Sequence, residues 1–126
     1  MMFRSQKRKK PLLHESSLID QAVKSEIPAA ESLYLVGQVI YDEEKADQIR
    51  SLVREHDISR LSSFNSIDVR QDIIQVYLAV GNGGQSYLIA LIDPFELYMN
   101  PYIIERTDAI QIDPSIITDL RQKQGG

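Results

Sequence analysis

The stretch VYLAVGNGGQSYLIALIDP, residues 76–94, decides how this chain folds, because it places three glycines within four residues between two apolar segments. Glycine-rich loops that bind phosphate lead into a helix and read GxxxxGK followed by Ser or Thr, or GxGxxG. Neither pattern is present here. Asn82-Gly83 between two β-rich segments is instead typical of a hairpin, because both residues tolerate the positive φ of a tight turn. We therefore predict a turn at residues 81–84.

The two segments that flank the glycines predict neighbouring strands near the middle of a sheet. Residues 73–80 and 86–92 are rich in branched and aromatic side chains, which favour strands. The alternation of the first segment places Ile74, Val76, Leu78 and Val80 on one face and Tyr77 and Ala79 on the other. Because both faces are apolar, we expect both to be covered by other parts of the chain.

Three further segments precede this hairpin. Ser17 stands three residues before Asp20, which is the spacing of a capping box and predicts the start of a first helix that Pro28 ends. Residues 33–41 predict a strand, and Asp42 predicts the N-cap of an amphipathic helix over residues 43–56. Residues 59–66 are polar and rich in serine, so we expect a loop there.

Two segments follow the hairpin. Residues 98–105 predict a last strand, which Pro101 confines to an edge of the sheet or ends early because proline has no amide proton. Asp113-Pro114 predicts the beginning of a final helix, with an acidic N-cap and proline at the first helical position. The terminal Gly125-Gly126 is typical of the end of a helix.

The order of these elements predicts an α+β fold. We expect a mainly antiparallel sheet of about four strands, with the hairpin at Gly81–Gly84 in its centre and helices packed on one face. One parallel neighbour for the first strand remains open, because a helix connects that strand to the later ones. Residues 1–11 are expected to form a flexible basic tail, and residues 12–126 a single α+β domain.

The composition is that of an ordinary globular protein, with 43% hydrophobic and 25% charged residues among 126. The absence of cysteine excludes disulfides, thiolate metal sites and cysteine nucleophiles, and it fits a reducing compartment. No apolar run approaches the ~18–20 residues that a membrane-spanning helix needs. The basic N-terminus lacks the apolar segment of a secretory signal. We therefore expect a cytoplasmic protein without a transmembrane segment.

The net charge of −4 conceals a separation of charge along the chain. Five of the 14 basic residues lie within the first ten positions, so the remaining chain has nine basic residues against 18 acidic ones. The basic residues of the tail are Arg4, Lys7, Arg8, Lys9 and Lys10. Three interpretations remain open: a solvated tail, a contact with a protein or an anionic membrane, and a contact with nucleic acid. The acidic body disfavours the last, because it repels phosphate.

A protein interface is predicted around the last strand. Tyr98, Met99, Tyr102 and Ile104 combine residue types that are favoured at interfaces with a strand that Pro101 places at an edge. An edge strand offers unpaired backbone groups to a partner strand. Ordinary packing in the core explains the same residues, and both interpretations remain open.

Catalytic and metal-binding signals are weak. His14 and His56 have no histidine or cysteine at the three- or four-residue spacing of a metal site, so we predict structural roles, no metal and no cofactor. Asp93, Glu96 and Asp108 could act as acid and base only if the fold brings them together. No catalytic residue is assigned.

The sequence thus favours a small non-catalytic protein-binding or adaptor module that uses an edge strand and its acidic surface. A second copy of the chain is one candidate partner, which would make a homodimer. Two alternatives from other classes remain: a small hydrolase or transferase with a carboxylate-based site, and a nucleic-acid accessory protein that acts through its basic tail.

Overall fold

A computed structural model describes the backbone of residues 11–68, 70–95 and 100–125. Within these ranges, it describes the side chains of residues 18–123. The helices are α1 (Pro11–Glu26), α2 (Glu43–Arg54), α3 (Ile58–Leu61) and α4 (Pro114–Gly125). The strands are β1 (Ala30–Ile40), β2 (Ile73–Gly81), β3 (Ser86–Asp93) and β4 (Tyr102–Arg106). They form one sheet in the order β1-β2-β3-β4.

Each neighbouring pair of strands in the sheet is antiparallel. The predicted α+β class and the antiparallel four-stranded sheet are therefore confirmed, and β2 and β3 occupy its centre as expected. A parallel neighbouring strand for β1 was also considered, and this is wrong. The parallel contact that β1 does make is a single isolated bridge between Gln38 and Asn65.

The glycine-rich segment forms the turn between β2 and β3. The Gly84 amide donates to the Gly81 carbonyl at 3.1 Å, and the Gly81 amide donates to the Gln85 carbonyl at 2.8 Å. Gly84 has a φ of 84°, whereas Asn82 and Gly83 both have negative φ. The hairpin is confirmed, but the expectation that Asn82 and Gly83 supply the positive φ is wrong. The loop is a longer turn in which Gly84 adopts the left-handed conformation.

Helices lie on both faces of the sheet. On the first face, α2, α3 and α4 pack over alternate residues of the central strands, namely Ile74, Val76, Leu78, Leu88 and Ala90. On the second face, α1 packs over the intervening positions Ala79, Ile89 and Leu91. Because successive side chains of a strand point to opposite faces, these are two cores separated by the sheet. The prediction that the helices share one face is not confirmed.

The stripe of buried side chains on α2 explains why this helix forms. Asp42 caps it, and its carboxylate accepts from the Lys45 amide at 2.8 Å, as the sequence predicts. Its buried residues recur at three- and four-residue intervals: Ala46, Ile49, Leu52 and Val53. Full burial of a large aliphatic side chain contributes about 1.5–3 kcal/mol, so packing against the first face holds α2 in place.

Several predicted boundaries differ from the structure. The last strand, expected over residues 98–105, covers Tyr102–Arg106, and the first, expected over residues 33–41, covers Ala30–Ile40. The helix expected over residues 43–56 ends at Arg54, since His56 adopts a φ of 59° that no helix continues. The loop expected over residues 59–66 is partly helical, because α3 occupies Ile58–Leu61 and Asp57 caps it by accepting from the Arg60 amide. The first helix begins at Pro11, six residues before the predicted cap at Ser17.

The outer edge of β1 is partly covered by its own chain. The Gln38 amide donates to the Phe64 carbonyl at 3.1 Å, and the Ser66 amide donates to the Gln38 carbonyl at 3.0 Å. A Cβ at Gly37 would overlap the Leu61 carbonyl oxygen, so only glycine allows this segment to approach so closely. β4 forms the opposite edge of the sheet.

Candidate binding surface

β4 is the outer strand that the prediction of an edge requires. It begins directly after Pro101, and Tyr102 pairs with Ile92 of β3. The pairing with β3 has a register shift between Ile103 and Glu105, which is a bulge in β4. Within the described ranges, no strand pairs with β4 on its other side. β4 is therefore a short and irregular edge strand.

A groove lies between the beginning of β4 and α1. It has a volume of about 430 Å³. The described residues that line it are uncharged: Leu18, Gln21, Ala22, Ser25, Asn100, Pro101, Tyr102 and Ile103. The Tyr102 side chain is 61% exposed at the margin of the groove. The lining of the groove therefore consists of aliphatic and aromatic groups with a few amide and hydroxyl groups.

Two ion pairs fix the far end of β4 to the helices on either face. Arg106 contacts Glu26 of α1 with a nitrogen–oxygen distance of 3.6 Å, and Glu105 contacts Arg54 of α2 at 2.7 Å. The neighbouring Thr107 hydroxyl accepts from the Leu88 amide at 2.8 Å, and this bond is buried. Exposed ion pairs contribute about 0–1 kcal/mol, so the half-exposed pair of Arg106 and Glu26 orients β4 more than it stabilises the fold.

The residues predicted for the interface have different environments. Tyr102 is exposed on the outer strand, as an interface requires. Ile104 is half-buried and packs against the core of the first face, as the alternative interpretation proposed. Tyr98 and Met99 lie outside the described residues.

Three large apolar side chains are exposed near one end of the sheet. Tyr102 pairs with Ile92 near the end of β3, and Phe95 follows that strand. Ile67 belongs to the segment that leads into β2 at the same end. The exposed fractions are 61% for Tyr102, 49% for Phe95 and 84% for Ile67. Sequence reasoning missed Ile67 and Phe95 as surface residues, because an apolar residue next to a strand is normally expected to be buried.

The carboxylates of the catalytic alternative do not all come together. Asp93 ends β3, whereas Asp108 follows Thr107, which is bonded to Leu88 near the beginning of β3. Asp93 and Leu88 are five strand residues apart, or roughly 16 Å. Glu96 lies outside the described residues. In the described part of the chain, no three His, Cys, Asp or Glu residues are placed to hold a metal ion.

Asp93 affects a tyrosine of the second face. Burial, reinforced by the negative charge of Asp93, raises the pKa of Tyr77 well above its ordinary value. The Tyr77 hydroxyl therefore stays protonated at neutral pH, and we assign it no role as a base. His56 is exposed in the turn after α2, and the side chain of His14 lies outside the description.

The acidic surface that the sequence predicts includes a groove on the first face. Two adjoining cavities of about 330 and 260 Å³ lie between α3 and the segment that contains α4. Asp57, Asp113 and Asp119 line them together with His56, Lys123 and apolar residues such as Ile58 and Ile116. A backbone hydrogen bond from Ser115 holds the pKa of Asp113 below its ordinary value, so this carboxylate is charged at neutral pH.

The residues of the basic tail, from Arg4 to Lys10, lie outside the described residues. Within the described ranges, no helix has the length and apolar character needed to cross a membrane. Comparison of the chain with protein-family models, curated proteins and solved structures found no match in any of the three.

Proposed function

We propose that this chain is a non-catalytic protein-binding module that takes an extended segment of a partner protein at β4. The observation that carries the proposal is the exposed ring of Tyr102 on an outer strand, beside an uncharged groove of about 430 Å³. Addition of a strand to a sheet edge and burial of side chains in an adjacent groove are common means of peptide recognition. A reducing, cytoplasmic location is part of the same proposal.

The irregular backbone of β4 determines how much backbone hydrogen bonds and side-chain contacts each contribute to binding of a partner. A bulge between Ile103 and Glu105 interrupts regular pairing, so a partner strand gains few backbone hydrogen bonds. The charges of Glu105 and Arg106 further disfavour extended pairing at that end of the strand. Affinity must then come mainly from an apolar partner side chain placed between α1 and Tyr102. Specificity for uncharged groups follows, because a charge would lose hydration without a counter-ion.

The acidic groove on the first face is a second contact in this proposal. Asp113 and Asp119 would attract basic residues of the same partner and accelerate its association, whereas Asp57 is already paired with Arg60 and Lys123 offsets part of the charge. Salt screens such attraction, with a Debye length of about 8–10 Å at 0.1–0.15 M. Raised ionic strength should therefore slow association more than it weakens the complex.

The proposal is tested by capture from the native cell followed by mapping on the purified complex. Tyr102→Thr keeps a strand-forming residue but removes the ring, and Ala22→Arg places a long charged side chain in the groove. Gln48→Arg, at an exposed position of α2, is the matched control for the added charge. We expect both test variants to lose the partner while the control retains it.

Hydrogen exchange then locates the partner. Slower exchange of β4 amides in the complex supports the proposal, whether the partner is another protein or a second copy of this chain. A complex that protects only other segments, or that Tyr102→Thr and Ala22→Arg retain at full strength, would contradict it. Retention of nucleic acid that disappears when residues 1–10 are deleted would favour the tail-led alternative.

A further inference from the structure

The turn between β2 and β3 contains a dipeptide, Asn82-Gly83, that the proposed binding surface does not use. Both residues are exposed. No residue of the described ranges accepts a hydrogen bond from the Gly83 amide, whereas the amides of Gly81 and Gly84 are both bonded within the turn. The Gly83 nitrogen is thus one of the turn amides without an acceptor among the described residues. Gly83 has no side chain of its own, and the flexible end of the Gln85 side chain lies beside it.

An amide nitrogen that follows asparagine can attack the asparagine side chain. After losing its proton, the Gly83 nitrogen would form a bond to Cγ of Asn82, and the bond from Cγ to Nδ2 would break with release of ammonia. The product is a five-membered succinimide. Water then opens the ring at either carbonyl and leaves an aspartyl or an isoaspartyl residue at position 82. The two steps together consume one water molecule and release one ammonia molecule, without a redox change.

The fold separates Asn82 from the other two asparagines of the chain. The residue after Asn65 is Ser66, whose amide donates to the Gln38 carbonyl at 3.0 Å and is therefore held in a hydrogen bond. The residue after Asn100 is Pro101, whose nitrogen carries no proton to lose. Of the three asparagines, only Asn82 is followed by an exposed glycine whose N–H has no acceptor among the described residues.

The neighbour of Asn82 determines what this reaction would do to the fold. Glu31 lies at the register shift between Ala30 and Ser32, opposite the turn. The Glu31 carboxylate is within hydrogen-bond distance of the side-chain amide of Asn82. This amide is assigned the orientation in which its Nδ2 donates to Glu31. Conversion would replace that donor by a second carboxylate. Two like charges would then face each other across β1 and the hairpin, which destabilises the pair.

We propose that Asn82 is a site of spontaneous deamidation, and that the new carboxylate opposes Glu31 and weakens the attachment of the hairpin to β1. The reaction requires no enzyme, and its rate rises with pH because the attacking nitrogen must be deprotonated. The folded chain therefore carries one position at which its charge changes with age.

Peptide mapping by mass spectrometry tests the reaction on the full chain. The protein is incubated folded at mildly alkaline pH, and a parallel sample is incubated in denaturant. We expect the folded sample to convert at position 82 alone, and the denatured sample to convert at positions 82 and 65. Unmodified Asn82 in the folded sample, alongside conversion in the denatured one, would overturn the proposal. Equal conversion of Asn65 and Asn82 in the folded sample would also overturn it.

Gly83→Ala provides the matched variant. Gly83 does not have positive φ, and the atoms nearest to an added Cβ, from 2.8 Å, belong to the flexible end of the Gln85 side chain, so the variant should fold. A methyl group next to the attacking nitrogen should slow conversion several-fold. An unchanged rate in a folded Gly83→Ala protein would mean that this nitrogen is not the nucleophile, and the mechanism would fail.

The consequence for stability has its own test. Asn82→Asp introduces the product charge directly and should lower the Tm at neutral pH. Combining it with Glu31→Gln should remove most of that decrease, because the opposing carboxylate is gone. If Asn82→Asp lowers the Tm equally with Glu31 and with Gln at position 31, the assigned opposition between the two carboxylates is wrong.

Discussion

His56 has a backbone conformation that is unfavourable for a residue with a side chain. His56 is the non-glycine residue with positive φ among those described, and it follows α2 at the position where glycine usually ends a helix. Its amide donates to the Val53 carbonyl and the Asp57 amide donates to the Leu52 carbonyl, each at 3.0 Å. This pair of bonds is the Schellman motif, in which the left-handed residue normally has no Cβ.

We predict that His56→Gly stabilises the protein. A non-glycine residue in the left-handed region costs about 1–2 kcal/mol, and the extra freedom of glycine in the unfolded chain offsets roughly 0.5–1 kcal/mol of the gain. The net gain in the free energy of unfolding should be roughly 0.5–1 kcal/mol. Chemical denaturation measures it.

Glu55→Gly is the control, because Glu55 precedes His56 with an ordinary φ of −84°. Glycine there brings only its entropic disadvantage, so the control should lose stability. If His56→Gly destabilises the protein as much as Glu55→Gly does, the left-handed conformation of His56 is not a source of strain.

At the scale of elements, the sequence predicted those features that depend on neighbouring residues, namely the helix caps and the hairpin. Asp42 and Asp113 cap α2 and α4 as expected, because a cap depends on residues within one turn. The hairpin was predicted from the same kind of signal. The position of α1 on the second face could not be predicted, because an apolar stripe shows that a helix packs but not on which face of a sheet.

The same limit applies to the binding surface. Pro101 allowed an edge strand to be predicted near Tyr102. The groove could not be predicted, because Leu18 and Ile103 line it together although they lie far apart in the sequence. Such pairs are set by tertiary packing, on which the spacing of residues in one segment carries no information.

The cap of α4 leads to a prediction about acid stability. The Asp113 carboxylate accepts from the Ser115 amide at 2.9 Å, and this bond lowers its pKa from 3.8. A carboxylate whose pKa is lower in the folded state stabilises the protein above its unfolded pKa. That contribution is lost as the pH falls below 3.8 through the folded value.

We expect Asp113→Ala to lower the Tm by a few degrees at pH 7, and the difference from the wild type to shrink as the pH falls below 3.8. Asp113→Asn keeps a capping oxygen without a titrating group, so it should remain closer to the wild type at pH 7. Thermal unfolding across this pH range measures both. A pH-independent difference for Asp113→Ala would contradict the role of the charged cap.

At the scale of the whole molecule, two cores share one sheet. Val23 of α1 and Val53 of α2 are both fully buried, but they lie on opposite faces. The side chains of β2 and β3 form the floor of both cores. If the helices on one face detach, they expose β2 and β3, on which the core of the other face also depends. We therefore expect the domain to unfold in one step, as small domains normally do.

We predict that Val23→Ala and Val53→Ala each reduce the free energy of unfolding by about 2 kcal/mol, since each removes two buried methyl groups and leaves a cavity. The two segments should still unfold together. Hydrogen exchange in increasing urea, read separately for α1 and α2, checks this. A wild-type α1 that exchanges fully at urea concentrations where α2 remains protected would show that the second face is an independent layer.

The sheet order also constrains the sequence of events in folding. β2 and β3 meet through a turn of a few residues, whereas β1 pairs with β2 only across the intervening helices α2 and α3. Closing a short loop is faster than closing a long one, so the central hairpin is the natural nucleus to which the two outer strands attach. We therefore expect the left-handed geometry of Gly84 to influence the rate of folding as well as the shape of the finished turn.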